Sequence, residues 1–232
     1  MSVESQSLIN VAAYLAGGIA MGFGAVGAAI GEGYTAAQAN LAVSRNSENS
    51  GDLFKNMLVG QAVAESASIF ALVIAILLLF LDQPGASTIK AAAFIGAGIS
   101  MGCGAIGSGV GSGFPGGQAC WGIARQPAVA SRLTTNMLIG SAVCQTPAIF
   151  SMVVALMLIF MDFSQAPLAP TWAALIGAGF STGLAAIGSG FGGGLAAGAS
   201  CEGIARQPET GGNVTTTMLV GQAVAQTASI FG

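Results

Sequence analysis

The sequence predicts an all-α membrane protein built from three tandem transmembrane helical hairpins, six helices in all. Its 232 residues have a mean hydropathy of +0.77, and only 6% of them are charged. Soluble domains carry about 25% charged residues, so this chain could not cover a surface that faces water. One phrase also recurs three times, as MLVGQAVAESASIF at 57–70, MLIGSAVCQTPAIF at 137–150 and MLVGQAVAQTASIF at 218–231. Composition thus indicates the membrane, and the repeat indicates three equivalent units.

Each unit contains two long apolar segments joined by a polar loop. Backbone groups in lipid need partners within the protein, and the sequence lacks the alternation of a closed barrel, so the segments are predicted to be helices. Most exceed the ~20 residues that span a bilayer. The predicted helices are 8–43, 53–81, 88–124, 132–161, 171–205 and 213–232.

The repeats divide the chain into hairpin 1 (1–84), hairpin 2 (85–168) and hairpin 3 (169–232). Hairpin 3 stops one residue after Phe231, whereas the equivalent helix of hairpin 1 runs on beyond Phe70 to Leu81. The last helix is therefore expected to be short or truncated.

The loops at 44–52, 125–132 and 205–212 hold or border five of the six cations, and only Lys90 lies at the opposite ends. Cytoplasmic loops carry an excess of Lys and Arg, so these three loops are predicted to face the cytoplasm. All three hairpins then share one orientation, unlike the halves of an inverted-repeat transporter.

The first helix of each hairpin is rich in glycine. Of 36 glycines, 7 lie in 17–33, 10 in 96–117 and 9 in 177–198. Glycine disfavours a helix by ~1 kcal/mol relative to alanine in water, and close backbone packing in a membrane is the usual compensation. Glycine at every second residue predicts an inner helix contacted on several sides, with an ordinary GxxxG pair as the alternative.

Composition also excludes several kinds of site. The chain has no histidine and a net charge of −3, which argues against nucleic acid as a partner and against histidine metal sites. Its four cysteines have no Cys-x-x-Cys spacing and are expected to be small buried residues. No Gly-Lys-Ser/Thr follows the glycines, so there is no phosphate loop. With no nucleotide site, the chain is predicted not to be an enzyme and to need no organic cofactor.

Glu65 interrupts the apolar repeated phrase and is the main candidate for chemistry. A charge at mid-bilayer costs ~2.5–3.5 kcal/mol, so such residues usually mark an ion or proton path. Glu32 lies 33 residues earlier, on the other arm of hairpin 1. Two carboxyls this close cannot both ionise easily, so one should hold a proton while the other binds a monovalent cation. A protonated glutamate that only links helices is the alternative. The equivalent pairs are Ser112 with Gln145 and Gly193 with Gln226.

At these residues the sequence resembles the rotor-ring c subunit, or proteolipid, of rotary F- and V-type ATPases, and in particular its sodium-type members. The resemblance covers nearly the whole chain three times. It rests on the glycine-rich helix, on the Ala-Arg-Gln-Pro loop at 124–127 and 205–208, and on the phrase GQAVAES. It implies an oligomeric ring in which the outer-helix carboxylate carries Na⁺ or H⁺.

The resemblance also implies the members of the ion site. Glu32, Glu65 and Ser66 match the sodium-type motif, with Val63 on the same hairpin. A valine carbonyl and a hydroxyl come from the neighbouring hairpin. The candidates for these two groups are Val143 with Thr146, or Val224 with Thr227. Ala67 and Phe70 depart from the sodium pattern, so H⁺ stays open as the cargo.

Pro147 suggests which neighbour serves the site. Proline cannot donate to the carbonyl four residues earlier, which here belongs to Val143. Pro147 is therefore expected to free the Val143 oxygen for a cation held by Glu32 and Glu65. A simple kink in a membrane helix is the alternative.

The resemblance further implies partners and a location. The ring would contact the stator subunit a, the central stalk and the bilayer, with other c subunits as possible members of the ring. The membrane would be a bacterial-type inner or cell membrane. The loop residues expected at the central stalk are Arg45, Arg125, Gln126, Pro127, Arg206, Gln207 and Pro208.

The presence of one acid in three hairpins indicates a role in setting the number of ions transported per ATP. Fewer carboxylates per ring mean fewer ions per ATP, which suits an ATP-driven pump more than a synthase. Two other functions stay open from the sequence. One is a channel or carrier that uses Glu32 and Glu65 as its gate, and the other is a structural membrane oligomer.

Overall fold

A computed structural model of the chain describes residues 3–81, 87–163 and 167–232, apart from the side chains of residues 3–5, 168 and 169. Long helices make up nearly all of these residues, which contain no strand, so the predicted all-α class is confirmed. The helices are α1 (Val3–Arg45), α2 (Ser50–Phe80), α3 (Ile89–Arg125), α4 (Ala130–Cys144), α5 (Thr146–Phe160), α6 (Leu168–Arg206) and α7 (Gly211–Phe231).

Five stretches of the described residues are long and apolar enough to cross a membrane, with Pro127–Phe160 counted as one span. The other four are Gln6–Arg45, Ser47–Phe80, Ile89–Arg125 and Pro170–Arg206. If α4 and α5 are counted as one broken rod, the described residues form six helical rods. The helix α7, with 21 residues, is the shortest of them.

The second rod of hairpin 2 is broken where the sequence predicts one continuous helix at 132–161. The N–H of Gln145 donates to the carbonyl of Ala142, three residues back, and α5 begins at Thr146. Pro147 has no N–H for the carbonyl of Val143, and this missing bond separates α4 from α5.

The three polar loops share one conformation. Asn46, Gln126 and Gln207 each follow the last arginine of a glycine-rich helix, with φ of −143° and ψ of 81°, 78° and 81°. A single 3₁₀ turn then leads into the next helix. In hairpins 2 and 3 that turn begins with Pro127 and Pro208, at a position where proline is favourable because no N–H is needed there.

The glycine-rich helices form one row, and the other helices form a second row over it. In the first row α3 packs between α1 and α6. In the second row α2 lies over α1 and α3, the α4–α5 rod lies over α3 and α6, and α7 lies on α6. The hairpins therefore stand side by side in the same orientation. In the most apolar 18-residue stretch of α3, 78% of the residues are buried.

Glycines allow the helices of the first row to approach backbone to backbone. A Cβ placed on Gly109 would lie 2.7 Å from the carbonyl carbon of Gly27. Gly190 meets the backbone of Gly107 in the same way at the α3–α6 contact. The predicted close packing of the glycine-rich helices is confirmed for these contacts.

Two flanks of the first row stay uncovered in the single chain. A Cβ on Gly18 or Gly33 of α1, or on Gly177 or Gly188 of α6, would meet nothing within 4 Å. Their repeat equivalents between the helices are crowded: Gly98, equivalent to Gly18, faces the backbone of Ala16, and Gly107, equivalent to Gly188, faces α6. The two uncovered flanks thus have the residue types of a helix contact.

Candidate functional site

Glu32 on α1 and Glu65 on α2 come together in hairpin 1. The two carboxyls are close enough to interact electrostatically. In the single chain Glu65 is exposed and Glu32 is half-buried. The structure therefore places both acids within electrostatic range of each other, on the two packed helices of hairpin 1, with Glu65 exposed.

A second contact ties the two helices of each hairpin together at this level. Gln61 Nε2 donates to the carbonyl oxygen of Glu32 at 3.3 Å. At the equivalent positions, Ser141 donates to the Ser112 carbonyl at 3.2 Å, and Gln222 donates to the Gly193 carbonyl at 3.1 Å. This role of positions 61, 141 and 222 was not predicted from the sequence, although their place in the repeated phrase was a signal for it.

The amides that replace Glu65 connect neighbouring hairpins. Gln145 Nε2 donates to the Val63 carbonyl of hairpin 1 at 2.9 Å and to Ser112 Oγ at 2.6 Å. Gln226 Nε2 donates to the Val143 carbonyl of hairpin 2 at 2.8 Å. In both junctions the side chain at the Glu65 position reaches the valine carbonyl of the preceding hairpin.

This arrangement corrects the expectation for Val143 and Pro147. The Val143 oxygen is indeed left without a helical donor by Pro147, but its partner is the amide of Gln226 rather than a cation at Glu65. Hairpin 2 meets hairpin 1 through Gln145 and Val63. The sequence pattern could not tell which flank of a hairpin faces which neighbour.

The hydroxyls that follow the acid or amide position lie beside the valine carbonyls. Ser66 Oγ donates to the Val63 carbonyl at 2.6 Å, and Thr227 Oγ1 donates to the Val224 carbonyl at 2.7 Å. Val224 is 65% exposed and Thr227 is also exposed, whereas Thr146 is half-buried. Hairpin 3 therefore presents a carbonyl and a hydroxyl that no described residue of the chain covers.

A further pair of polar contacts crosses the same junctions nearer the loops. Thr134 donates to Asn56 Oδ1 at 3.0 Å, and Thr215 donates to Asn136 Oδ1 at 2.7 Å. These residues were not predicted from the sequence either. Their signal is the recurrence of asparagine at 56 and 136 and of threonine at 134 and 215.

The arginine loops lie together at one end of the bundle. Arg125 forms an ion pair with Glu202 at 3.6 Å, and Arg206 contacts the same carboxylate. The Arg45 guanidinium lies over the ring of Trp121, 4.4 Å from its centroid. This end of the molecule is therefore its most charged surface among the described residues.

Comparison with known proteins identifies the repeated unit. A sequence profile for the family of the ATP synthase C subunit matches three times, at residues 15–78, 95–158 and 176–232. The ATP synthase c subunit of Natranaerobius thermophilus is 45% identical over 78 residues, which are 34% of this chain and 90% of that protein. That of Dehalococcoides mccartyi strain CBDB1 is 49% identical over 71 residues, 31% of this chain and 93% of that protein.

A third relative, the ATP synthase c subunit of Petrotoga mobilis, is 49% identical over 67 residues, or 29% of this chain and 70% of that protein. Each relative thus matches about one hairpin here with most of its own length. The chain belongs to the family of the ATP synthase C subunit, as a non-catalytic membrane protein of that complex in which three hairpins are fused.

Proposed function

We propose that this protein is a component of a rotor ring and carries one Na⁺ per chain on Glu65, with Glu32 as the second carboxyl of the site. Rotation of the ring then couples passage of the ion across the membrane to ATP hydrolysis or synthesis. The observation that carries the proposal is the contrast between junctions. Gln145 and Gln226 are already bonded to a neighbouring valine carbonyl, whereas Glu65 is exposed and lies within electrostatic range of a second acid.

The charge of the pair accounts for binding of a single cation. Two ionised carboxylates side by side in lipid would repel each other strongly, so one holds a proton. The other keeps a charge that costs ~2.5–3.5 kcal/mol at mid-bilayer. A bound Na⁺ neutralises that charge while the site faces lipid. Carboxylate, carbonyl and hydroxyl oxygens are the ligands that suit such a hard ion. A second proton in place of Na⁺ is the alternative cargo.

The remaining ligands come from hairpin 3 of the adjacent copy. Within the chain, the side chain at the Glu65 position always meets the valine carbonyl of the preceding hairpin. Continued across copies, this rule places Val224 and Thr227 of one copy against Glu65 of the next. The uncovered glycines support the same contact, since Gly177 and Gly188 of α6 would face α1 of the next copy. Repetition of this contact gives a homo-oligomeric ring.

The surroundings of the ring follow from the charges. The arginine loops face the cytoplasm and contact the central stalk, because they hold most of the cations. The open face of Glu65 passes the stator subunit a as the ring turns in a bacterial cell membrane.

Carbodiimide labelling tests the site. A hydrophobic carbodiimide reacts with a protonated carboxyl in lipid, so it should modify Glu65 in the isolated ring, and Na⁺ should slow the reaction. Mass spectrometry of the intact protein and its peptides measures the extent and the position. Labelling of Glu65 at the same rate with and without Na⁺ would refute sodium and leave H⁺ as the cargo. Absence of any reaction at Glu65 would refute the site.

The same assay identifies the neighbouring hairpin. Thr227→Ala should weaken the protection by Na⁺, because it removes a hydroxyl oxygen beside the Val224 carbonyl. Thr146→Ala makes the same change at the equivalent position of hairpin 2 and should leave protection unchanged. The opposite result would assign the second half of the site to hairpin 2.

The gearing of the motor follows from one carboxylate site in three hairpins. A turn of the ring moves one ion per chain, which is one third of the number for a ring of the same hairpins that each carry an acid. Each ATP can then drive its ions against a steeper gradient, which favours pumping. The ion-to-ATP ratio of the purified complex in vesicles measures this, and a ratio equal to that of single-hairpin rings would contradict it.

A further inference from the structure

We infer that the junction between hairpins 1 and 2 is a latent cation site, in which the amide nitrogen of Gln145 stands where a monovalent cation would bind. The inference rests on the proposed function for the chemistry of the Glu65 site. It goes further by giving the glutamine a definite role and by predicting a second site that one substitution would open.

The contacts of the Gln145 nitrogen are those of an ion with oxygen ligands. It lies 2.9 Å from the carbonyl oxygen of Val63 and 2.6 Å from Ser112 Oγ. Ser66 Oγ lies 2.6 Å from the same carbonyl oxygen and adds a hydroxyl to the group. Val63 and Ser66 come from hairpin 1, and Ser112 occupies the position equivalent to Glu32. The oxygens therefore come from both sides of the junction.

The other end of the amide supports the same interpretation. Gln145 is only 7% exposed, yet its Oε1 atom is buried without a hydrogen-bond partner among the described residues. Buried polar atoms are normally paired, because an unpaired one costs free energy. An oxygen with no donor beside it, next to a nitrogen between two oxygens, fits a carboxylate–cation pair replaced by one neutral group. Gln222 has the same arrangement between the Gly140 and Gly193 carbonyls, so the inference rests mainly on the contacts of the Gln145 nitrogen.

The replacement has a physical consequence during rotation. The amide supplies the N–H donors to Val63 and Ser112 permanently, so this junction needs no ion when it faces lipid. A carboxylate at position 145 would leave a buried charge with no donor, which is costly unless a cation or a proton joins it. Gln145→Glu should therefore create a site that binds a cation between Val63 and Ser112.

The junction between hairpins 2 and 3 is the matched control. Gln226 Nε2 likewise meets a valine carbonyl, that of Val143 at 2.8 Å. The residue equivalent to Ser112 there is Gly193, which offers no side-chain oxygen. Gln226→Glu should therefore bind a cation more weakly than Gln145→Glu, although the two substitutions are chemically identical.

The test uses assembled rings and carbodiimide labelling with and without Na⁺. The variants are Glu65→Gln alone, Glu65→Gln with Gln145→Glu, and Glu65→Gln with Gln226→Glu. In the Gln145→Glu ring, Na⁺ should slow labelling at position 145 by a factor of about 1 + [Na⁺]/Kd, and by less at position 226 in the other ring. Adding Ser112→Ala to the Gln145→Glu ring should reduce the protection.

Wild-type rings in the same assay separate the two proposals. If Na⁺ protects position 145, the latent site stands, whatever happens at Glu65. If Na⁺ protects Glu65 but labelling at position 145 is equally fast with and without Na⁺, the latent site is refuted and the proposed function stands. The same holds if Na⁺ protects Glu65 and position 145 is not labelled at all in a ring that assembles normally. If the double variant does not assemble, Gln145→Glu in the presence of Glu65 gives the same measurement, because peptides distinguish the two positions. Failure of that variant to assemble at every Na⁺ concentration also refutes the inference.

Discussion

Glu65→Gln is expected to abolish ion-coupled ATP hydrolysis and synthesis by the complete complex, while the ring still assembles. Assembly should survive because Gln145 and Gln226 show that a glutamine at this position donates to the valine carbonyl of the preceding hairpin. The third junction would then resemble the other two, and the carboxyl proposed to carry the ion would be lost, with only Glu32 of the acid pair remaining. Ion transport into vesicles, driven by ATP, measures the loss, and native gel migration of the ring measures assembly.

Glu48→Gln is the control for this substitution. Glu48 is an exposed acid in the loop between α1 and α2, so the same chemical change is made outside the membrane. Its transport activity should be retained. ATP-coupled transport that persists in Glu65→Gln would remove the basis of the proposed function, because Glu65 is the residue proposed to carry the ion.

Gly109→Ala is expected to destabilise the protein, because the added methyl group overpacks the α1–α3 contact described above. The new Cβ would lie 2.7 Å from the carbonyl carbon of Gly27 and 2.8 Å from the nitrogen of Ala28, and neither backbone atom can rotate away. Overpacking of this kind costs about 1–3 kcal/mol, occasionally more. That exceeds the ~1 kcal/mol gained when alanine replaces glycine in a helix. Thermal unfolding of the purified ring in detergent measures the change.

Two other glycines make the measurement specific. Gly51→Ala adds the same methyl group at the start of α2, where nothing lies within 4 Å and the equivalent residue of hairpin 2 is Ser131, so it should not destabilise the ring. Gly18→Ala should leave the fold of the chain intact but weaken the contact between copies. Equal stability of the Gly109→Ala and Gly51→Ala rings would show that α1 and α3 are packed less closely than these distances require.

The sequence was sufficient to predict the architecture, because hydropathy and the repeat are properties of the linear chain that do not depend on how the helices pack. Apolar length predicts each rod, and the spacing of Arg45, Arg125 and Arg206 predicts where the glycine-rich helices end. The break at Gln145 was not predicted, although Pro147 was recognised. A proline removes one helical bond, but whether the helix bends or breaks depends on the neighbours that pack around it.

The site was predicted less completely than the fold. The acids Glu32 and Glu65 stand out in an apolar sequence, and their positions on two arms of one hairpin bring them together. The partner of Val143 was assigned wrongly, since a repeat does not reveal which flank of one unit meets the next. The contacts of Gln61, Asn56 and Thr134 depend on the same packing and were visible only as recurring polar residues.

The two uncovered flanks of α1 and α6 determine where the assembled ring can dissociate into separate chains. In a ring made of this chain, the contacts between hairpins 1 and 2 and between hairpins 2 and 3 are made within one continuous polypeptide, whereas the contact from hairpin 3 to the next copy is not. Under the proposed function, each contact between copies is also an ion site with ligands from both copies. The bound ion then stabilises the contact between copies as well as being transported. Each release of an ion at the stator weakens, for that moment, the kind of contact at which the ring can dissociate.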